Sequence, residues 1–184
     1  NVIIEEALKE SNIPYLSEEG KNILYQTRKE WECLWIVDPL DGTKEFIKRN
    51  GEFTVNIALI KEKKPIMGVI YVPCTKELYF SLEGLGSYKI EIDDYVKNLD
   101  NLINLSVKLP VHCERSEYVV VGSRSHMTKE TKEYFNLMRM EKQEIRVLAI
   151  GSSLKICMVA EGRADSYPRY APTMEWDTAA GHAI

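Results

Sequence analysis

Residues 33–46 read "CLWIVDPLDGTKEF", and the place where this apolar run stops decides the fold. "CLWIVDPL" (33–40) is a short continuous apolar stretch, typical of a buried strand. The strand is predicted to stop at Asp38-Pro39, because proline has no N–H to give to a central ladder. "DGTKEFIKRN" (41–50) then reads as a turn into a short helix, with Asp41 to cap it and Gly51 to end it. Asp38 and Asp41 are thereby held three residues apart across a stiff turn. Two carboxylates that close repel each other unless a cation sits between them. A set of oxygen donors, with the Leu40 carbonyl among them, selects hard ions such as Mg²⁺. Gly42 and Thr43 place free backbone N–H groups at the helix start, which suits an anion. A metal beside an anion site points to phosphate, although a bare D-x-x-D-G also fits an ordinary capped turn.

Working outward, "VIIEEALKE" (2–10) has helical spacing, with Ile3, Ile4, Ala7 and Leu8 on one side. "IPYLSEEG" (13–20) breaks that helix, and a polar, helix-compatible stretch follows. On the other side of the turn the pattern becomes strand-like. "FTVNIALI" (53–60), "PIMGVIYVP" (65–73), "ELYFSLE" (77–83) and "GSYKI" (86–90) predict an antiparallel meander. Residues 90–110 read as an irregular bridge and as the boundary between an N-terminal lobe (1–107) and a C-terminal lobe (108–184). The second lobe alternates. It has a strand "YVVVGS" (118–123), a helix from Thr128 to Met138, a strand "IRVLAIGS" (145–152), a helix "SLKICMVAEG" (153–162), a strand "ADSYP" (164–168), and a last helix from Trp176-Asp177. That order argues for a layered α/β fold.

Composition agrees with a globular protein and narrows the function. The chain has 184 residues, 45% hydrophobic and 28% charged, near the globular averages. Its net charge of -4, from 24 Lys+Arg against 28 Asp+Glu, excludes a whole-molecule basic field for nucleic acid. Small anionic ligands then need local cations or a metal. Cys33, Cys74, Cys113 and Cys157 are scattered, with no C-x-x-C motif, and read as reduced, mostly buried thiols of a cytosolic protein. No stretch reaches the ~20 apolar residues of a membrane span, and no signal peptide is visible. The chain opens at Asn1 and closes on the apolar helical pattern "AAGHAI", so both ends read as cut.

Two more acidic sites lie at element ends. "LSEEG" carries Glu18 and Glu19, and "EWDTAAGHA" places Asp177 at the expected N-cap of an Ala-rich helix. Each alone fits a solvated turn or a plain cap. Three acidic sites at turns or helix starts would be a coincidence if all were caps.

Together "SEE", "DPLDGTKEF" and "WDTAAGHA" resemble the three signature segments of the inositol monophosphatase superfamily of Mg²⁺-dependent, Li⁺-sensitive phosphatases. Lys44-Glu45-Phe46 directly after D-G-T resembles its CysQ-type 3′(2′),5′-bisphosphate nucleotidase branch, where inositol monophosphatases usually carry T-N-F. "GEFTVNIALI", "SRSH", "GSSLK" and "YPRY" extend the likeness over nearly the whole chain.

The resemblance implies an α/β fold of alternating α-β-α-β-α layers, here truncated at both ends. It implies hydrolysis of the 3′-phosphate of 3′-phosphoadenosine 5′-phosphate to AMP and phosphate, with two or more Mg²⁺ ions. It makes Glu18, Asp38, the Leu40 carbonyl, Asp41 and Asp177 metal ligands. Thr43 would position the attacking water together with Glu18, and Glu19 would stand behind them. Asp38 belongs to the same catalytic set. Gly42, Thr43, Ser123, His126, Ser152, Lys155, Arg169 and Asp177 would contact the nucleotide. The family also carries a further aspartate in a T-x-x-D segment expected just before Asn1, and at least one more strand after the last helix. A small nucleotide is the expected partner, with neither nucleic-acid polymer nor transmembrane segment. A monomer is expected, in the cytoplasm or peripheral at an inner membrane face. Two other readings compete: an inositol or sugar phosphate monophosphatase, against which Lys44-Glu45 and "GSSLK" speak, and a non-catalytic metal- or nucleotide-binding fragment.

Overall fold

The structure is a computed structural model. It describes residues 1–184 apart from Asp94, Tyr95, Lys97, His112, Cys113, Ser125, His126 and Gln143. Helix α1 (Val2–Lys9) is followed by strand β1 (Tyr15–Ser17), helix α2 (Tyr25–Arg28), strand β2 (Cys33–Asp41) and helix α3 (Thr43–Lys48). Strands β3 (Thr54–Lys61), β4 (Lys64–Val72), β5 (Glu77–Leu82) and β6 (Gly86–Glu91) form the meander. Then come α4 (Leu99–Leu105), β7 (Val107–Lys108), β8 (Tyr118–Ser123), α5 (Lys129–Glu141), β9 (Ile145–Ile150), α6 (Leu154–Ala160) and α7 (Glu175–Ala183).

Strands β1 to β7 make one sheet in chain order; β1 runs parallel to β2 and every other pair is antiparallel. Strands β8 and β9 form a second, parallel pair. Apolar contacts set the layers. Ile36, Ala58, Ile70, Val72 and Tyr79 of the large sheet pack against Cys157 of α6 and Ala180 of α7. The other side of α6 presents Met158 to Val119 and Val121 of β8. The opposite face of β8 gives Val120 to Phe135 and Met138 of α5. Strand β8 is buried on both faces, as its run of valines demands. The order is therefore sheet, helices α6 and α7, sheet, helix α5: the layered α/β arrangement expected. Helix α7 lies so close to β4 that a Cβ on Gly68 would stand 2.3 Å from the Ala180 carbonyl oxygen, so no other residue fits there.

Local readings needed correction at several points. Strand β2 does not stop at Asp38-Pro39. Its ladder skips there in a bulge and resumes where Asp41 pairs with Thr54, which is how a sheet absorbs a missing proline N–H. Gly42, in the left-handed region at φ 92°, occupies the N-cap of α3 in place of Asp41. Arg49, also left-handed, ends that helix before Gly51 is reached. Residues 15–17 form a strand too short to show a period, and α4 and β7 lie within the expected irregular bridge. "ADSYP" contributes a single bridge, Ser166 with Val120. The last helix has Met174 at its N-cap; Asp177 sits at its third position. Cys74 is exposed, against the expectation of burial, while Cys113 lies outside the described residues.

Candidate metal centre and anion cleft

The bulge in β2 carries the site. Beyond Pro39 the chain folds back so that the Leu40 N–H donates to Asp38 Oδ1 at 3.0 Å, and the Thr43 hydroxyl reaches the Leu40 carbonyl at 3.4 Å. Asp38 is 1% exposed, at the buried end of the strand. Asp41, three residues on, emerges beside it. The first turn of α7 brings Asp177 to the same point, and oxygen atoms of Asp38, Asp41 and Asp177 lie within 4.8 Å of one another. Glu18, exposed just past the end of β1, lies near enough to Asp38 to act on its carboxyl. Its backbone N–H donates to the Val37 carbonyl at 3.1 Å, which registers the two strands. Glu19 is exposed and turns to a different cavity, bordered by Asn1 and Trp31.

Such crowding has an electrostatic cost. Burial, then the charge of Asp41 and then Glu18, push the Asp38 carboxyl up to about 9, with the Leu40 N–H opposing them. Without a cation the cluster therefore keeps a proton at neutral pH. An all-oxygen set of this kind fits a hard divalent ion, which would displace that proton.

Each of the other two aspartates is gripped through one oxygen. Asp177 Oδ2 accepts from the Thr173 hydroxyl at 2.8 Å and the Met174 N–H at 3.0 Å. Asp41 Oδ2 accepts from the Ser153 N–H and the Ser153 hydroxyl, both at 2.6 Å. It also accepts from Asn56 at 3.3 Å and Thr54 at 3.4 Å.

A cleft of about 250 Å³ opens from this cluster. Asp41, Gly42, Thr43, Ser123, Ser152, Lys155, Arg169 and Asp177 line it, so the structure brings these sequence candidates together. Asp38, Leu40 and Glu18 are not part of its wall, and His126 lies outside the described residues. Gly42 is required where it stands: its φ is 92°, and a Cβ would meet the Glu52 carbonyl oxygen at 3.0 Å.

Cationic side chains line the same cleft. Lys155 is only 5% exposed; its ammonium donates to the Ser152 carbonyl at 2.5 Å and lies over the Tyr167 ring. Burial pushes this ammonium below the usual lysine range, against the pull of Asp41. Arg169 donates to the Pro172 carbonyl at 2.9 Å, and its Nε is buried without a partner. Arg124 bonds Glu52 and the Ala149 carbonyl, each at 2.8 Å.

Sequence reasoning passed over Arg124, Tyr167, Ser153, Thr54 and Asn56. For the last two a signal was present. Alternation along β3 puts Thr54, Asn56, Ala58 and Ile60 on one buried face, and two polar residues on a core face need partners.

Comparison with known proteins supplies the lineage. The sequence profile described as the inositol monophosphatase family matches residues 2–184. The chain is 48% identical over 173 residues to the 3′(2′),5′-bisphosphate nucleotidase CysQ of Salmonella typhimurium. That match covers 94% of this chain and 63% of the relative. Among solved structures, CysQ from Bacteroides thetaiotaomicron superposes with a TM-score of 0.93 at 55% identity, covering 98% of this chain and 68% of that one. An inositol monophosphatase from Anabaena superposes with a TM-score of 0.68 at 28% identity, over 98% of this chain and 66% of that one. The chain thus spans less than two thirds of the Salmonella relative's length.

Proposed function

The chain belongs to the inositol monophosphatase family, and from that premise we propose that it acts as a Mg²⁺-dependent phosphatase on the 3′-phosphate of 3′-phosphoadenosine 5′-phosphate. The products are AMP and phosphate. One observation carries the reading: a cluster of three carboxylates opens into a cleft that is also lined by Lys155, Arg169 and Arg124. A substrate with two phosphates needs a metal for one and cations for the other. The Salmonella typhimurium relative carries the name 3′(2′),5′-bisphosphate nucleotidase, which supports the same substrate.

Asp38, Asp41, Asp177, the Leu40 carbonyl and Glu18 would hold the metal. When bound, Mg²⁺ lowers the pKa of water and stabilises charge on the attacking and leaving oxygens. The Thr43 hydroxyl, already turned into the bend at Leu40, orients the attacking water, with Glu18 accepting its proton. Lys155 and Arg169 bind the 5′-phosphate, and Tyr167 holds Lys155 in place. No covalent phosphoenzyme is needed, so the scheme uses no nucleophilic serine or cysteine. Among the described residues no helix is long and apolar enough to cross a membrane. The cytoplasmic location and monomeric state expected from the sequence belong to this proposal.

The test is phosphate release from 3′-phosphoadenosine 5′-phosphate and from inositol 1-phosphate, with Mg²⁺ and with chelator. Mg²⁺-dependent release from the nucleotide is expected to exceed that from inositol 1-phosphate. Preference for the inositol ester would make the protein a monophosphatase. Binding of metal and nucleotide without release would make it a non-catalytic binder.

A further inference from the structure

Four donors converge on a single oxygen of Asp41, and none of these bonds goes to Oδ1. The central donor is Ser153, 3% exposed, just before helix α6. Its hydroxyl stands 2.6 Å from Asp41 Oδ2 and 2.9 Å from the Asp177 carbonyl. A hydroxyl has one proton, and the closer, charged acceptor takes it. Behind it, Asn56 Nδ2 donates to Ser153 Oγ at 2.9 Å and to Asp41 at 3.3 Å. Asn56 is 1% exposed, and its Oδ1 is buried with no partner. An orphaned amide oxygen costs stability. Turning the amide over would set that oxygen against a carboxylate, so its orientation is held by the amide N–H side that faces this pair.

We propose that Ser153, backed by Asn56, is a positioning residue that fixes the Asp41 carboxylate and thereby sets the affinity of the site for a divalent cation. The proposal rests on the metal-dependent reading above and adds residues that neither the family likeness nor the motif spacing singled out. A carboxylate whose Oδ2 is saturated with donors cannot rotate, and it leaves Oδ1 for the cation. Partners that orient a metal ligand typically change metal affinity by about 10–100-fold when removed.

The experiment compares the wild-type chain with Ser153→Ala, Ser153→Thr and Asn56→Leu. It measures Mn²⁺ binding by calorimetry, melting in chelator, and the metal concentration giving half-maximal phosphate release. Ser153→Ala keeps the backbone N–H, so its loss is expected at the low end, about tenfold in Kd, with the melt in chelator little changed. The half-maximal metal concentration rises by the same factor, and Ser153→Thr, which keeps a hydroxyl, restores wild-type binding. A purely structural role would lower the melt and leave Kd untouched; that result, or wild-type Kd in both Ser153→Ala and Asn56→Leu, overturns the proposal. If Ser153→Ala fails to fold, Asn56→Leu reads the same carboxylate from its other side. Wild type that binds Mn²⁺ but hydrolyses nothing defeats the proposed function alone. Wild type that binds no divalent ion defeats both.

Discussion

Oδ2 of Asp41 lies 2.6 Å from the backbone nitrogen of Ser153, 112 residues further along the chain. A carboxylate at the end of strand β2 is thus held by the segment that opens helix α6. The joint between these elements is part of the site.

Asp41→Ala should therefore lower stability as well as activity. It leaves the Ser153 N–H without its acceptor, while the Ser153 hydroxyl can turn to the Asp177 carbonyl and the Asn56 amide keeps Ser153 Oγ, at a cost of about 1–3 kcal/mol. For a domain of this size that is about 2–12 °C in melting temperature. The measurement belongs at pH 6 in chelator, where Asp38 keeps its proton and the change does not also relieve a repulsion. An unchanged melt there would show that the convergence on Asp41 does not hold the joint.

Metal-free protein should lose stability as pH rises from 6 to 9. The Asp38 carboxyl is pushed up to about 9 in the fold, while the unfolded chain ionises it near an ordinary ~3.9. The native state binds the extra proton, so its advantage is full below ~3.9 and is lost as pH climbs through about 9. One proton sets an upper slope of about 1.4 kcal/mol per pH unit, or about 3–6 °C. Asp38→Asn should abolish that slope and melt higher than wild type at pH 8 in chelator, while losing metal binding and turnover. Parallel melting curves for wild type and Asp38→Asn would contradict the assignment.

Thr43→Ala should cost rate far more than substrate affinity. The hydroxyl sits 3.4 Å from the Leu40 carbonyl, at the bend where an attacking water would be oriented. Positioned proton-transfer groups are worth about 10²–10⁴-fold in rate. Thr43→Ser should keep most of the activity. If KM rises while kcat holds, Thr43 is a phosphate anchor instead.

Lys155→Met should separate the two phosphates of the substrate. Lys155 is buried beside Tyr167 and lines the cleft. A charge-assisted hydrogen bond of about 1.5–3 kcal/mol corresponds to about 10–150-fold in KM for 3′-phosphoadenosine 5′-phosphate. Hydrolysis of 3′-AMP, which lacks the second phosphate, should change little. Equal losses on both substrates would assign Lys155 to the scissile phosphate or to the loop at Ser152, whose carbonyl it also binds.

Local order in the sequence determined what neighbours along the chain do to one another. The apolar run ending in Asp38-Pro39 required a buried strand and a break, and a three-residue spacing placed Asp38 and Asp41 together. Alternation from 53 to 90 required the meander, because side chains on a pleated strand change face at every residue. Tertiary structure decided the rest. Strand β1 exists only because β2 offers it a parallel edge, and three residues are too few to show a period. Proline breaks a ladder locally, but whether the strand ends or resumes past a bulge depends on Thr54 across the sheet. Asp177 reaches the cluster through the packing of α7 on β4, and Ser153 reaches Asp41 from 112 residues away. Such contacts leave no periodic trace in the sequence, because they depend on which faces are buried against each other.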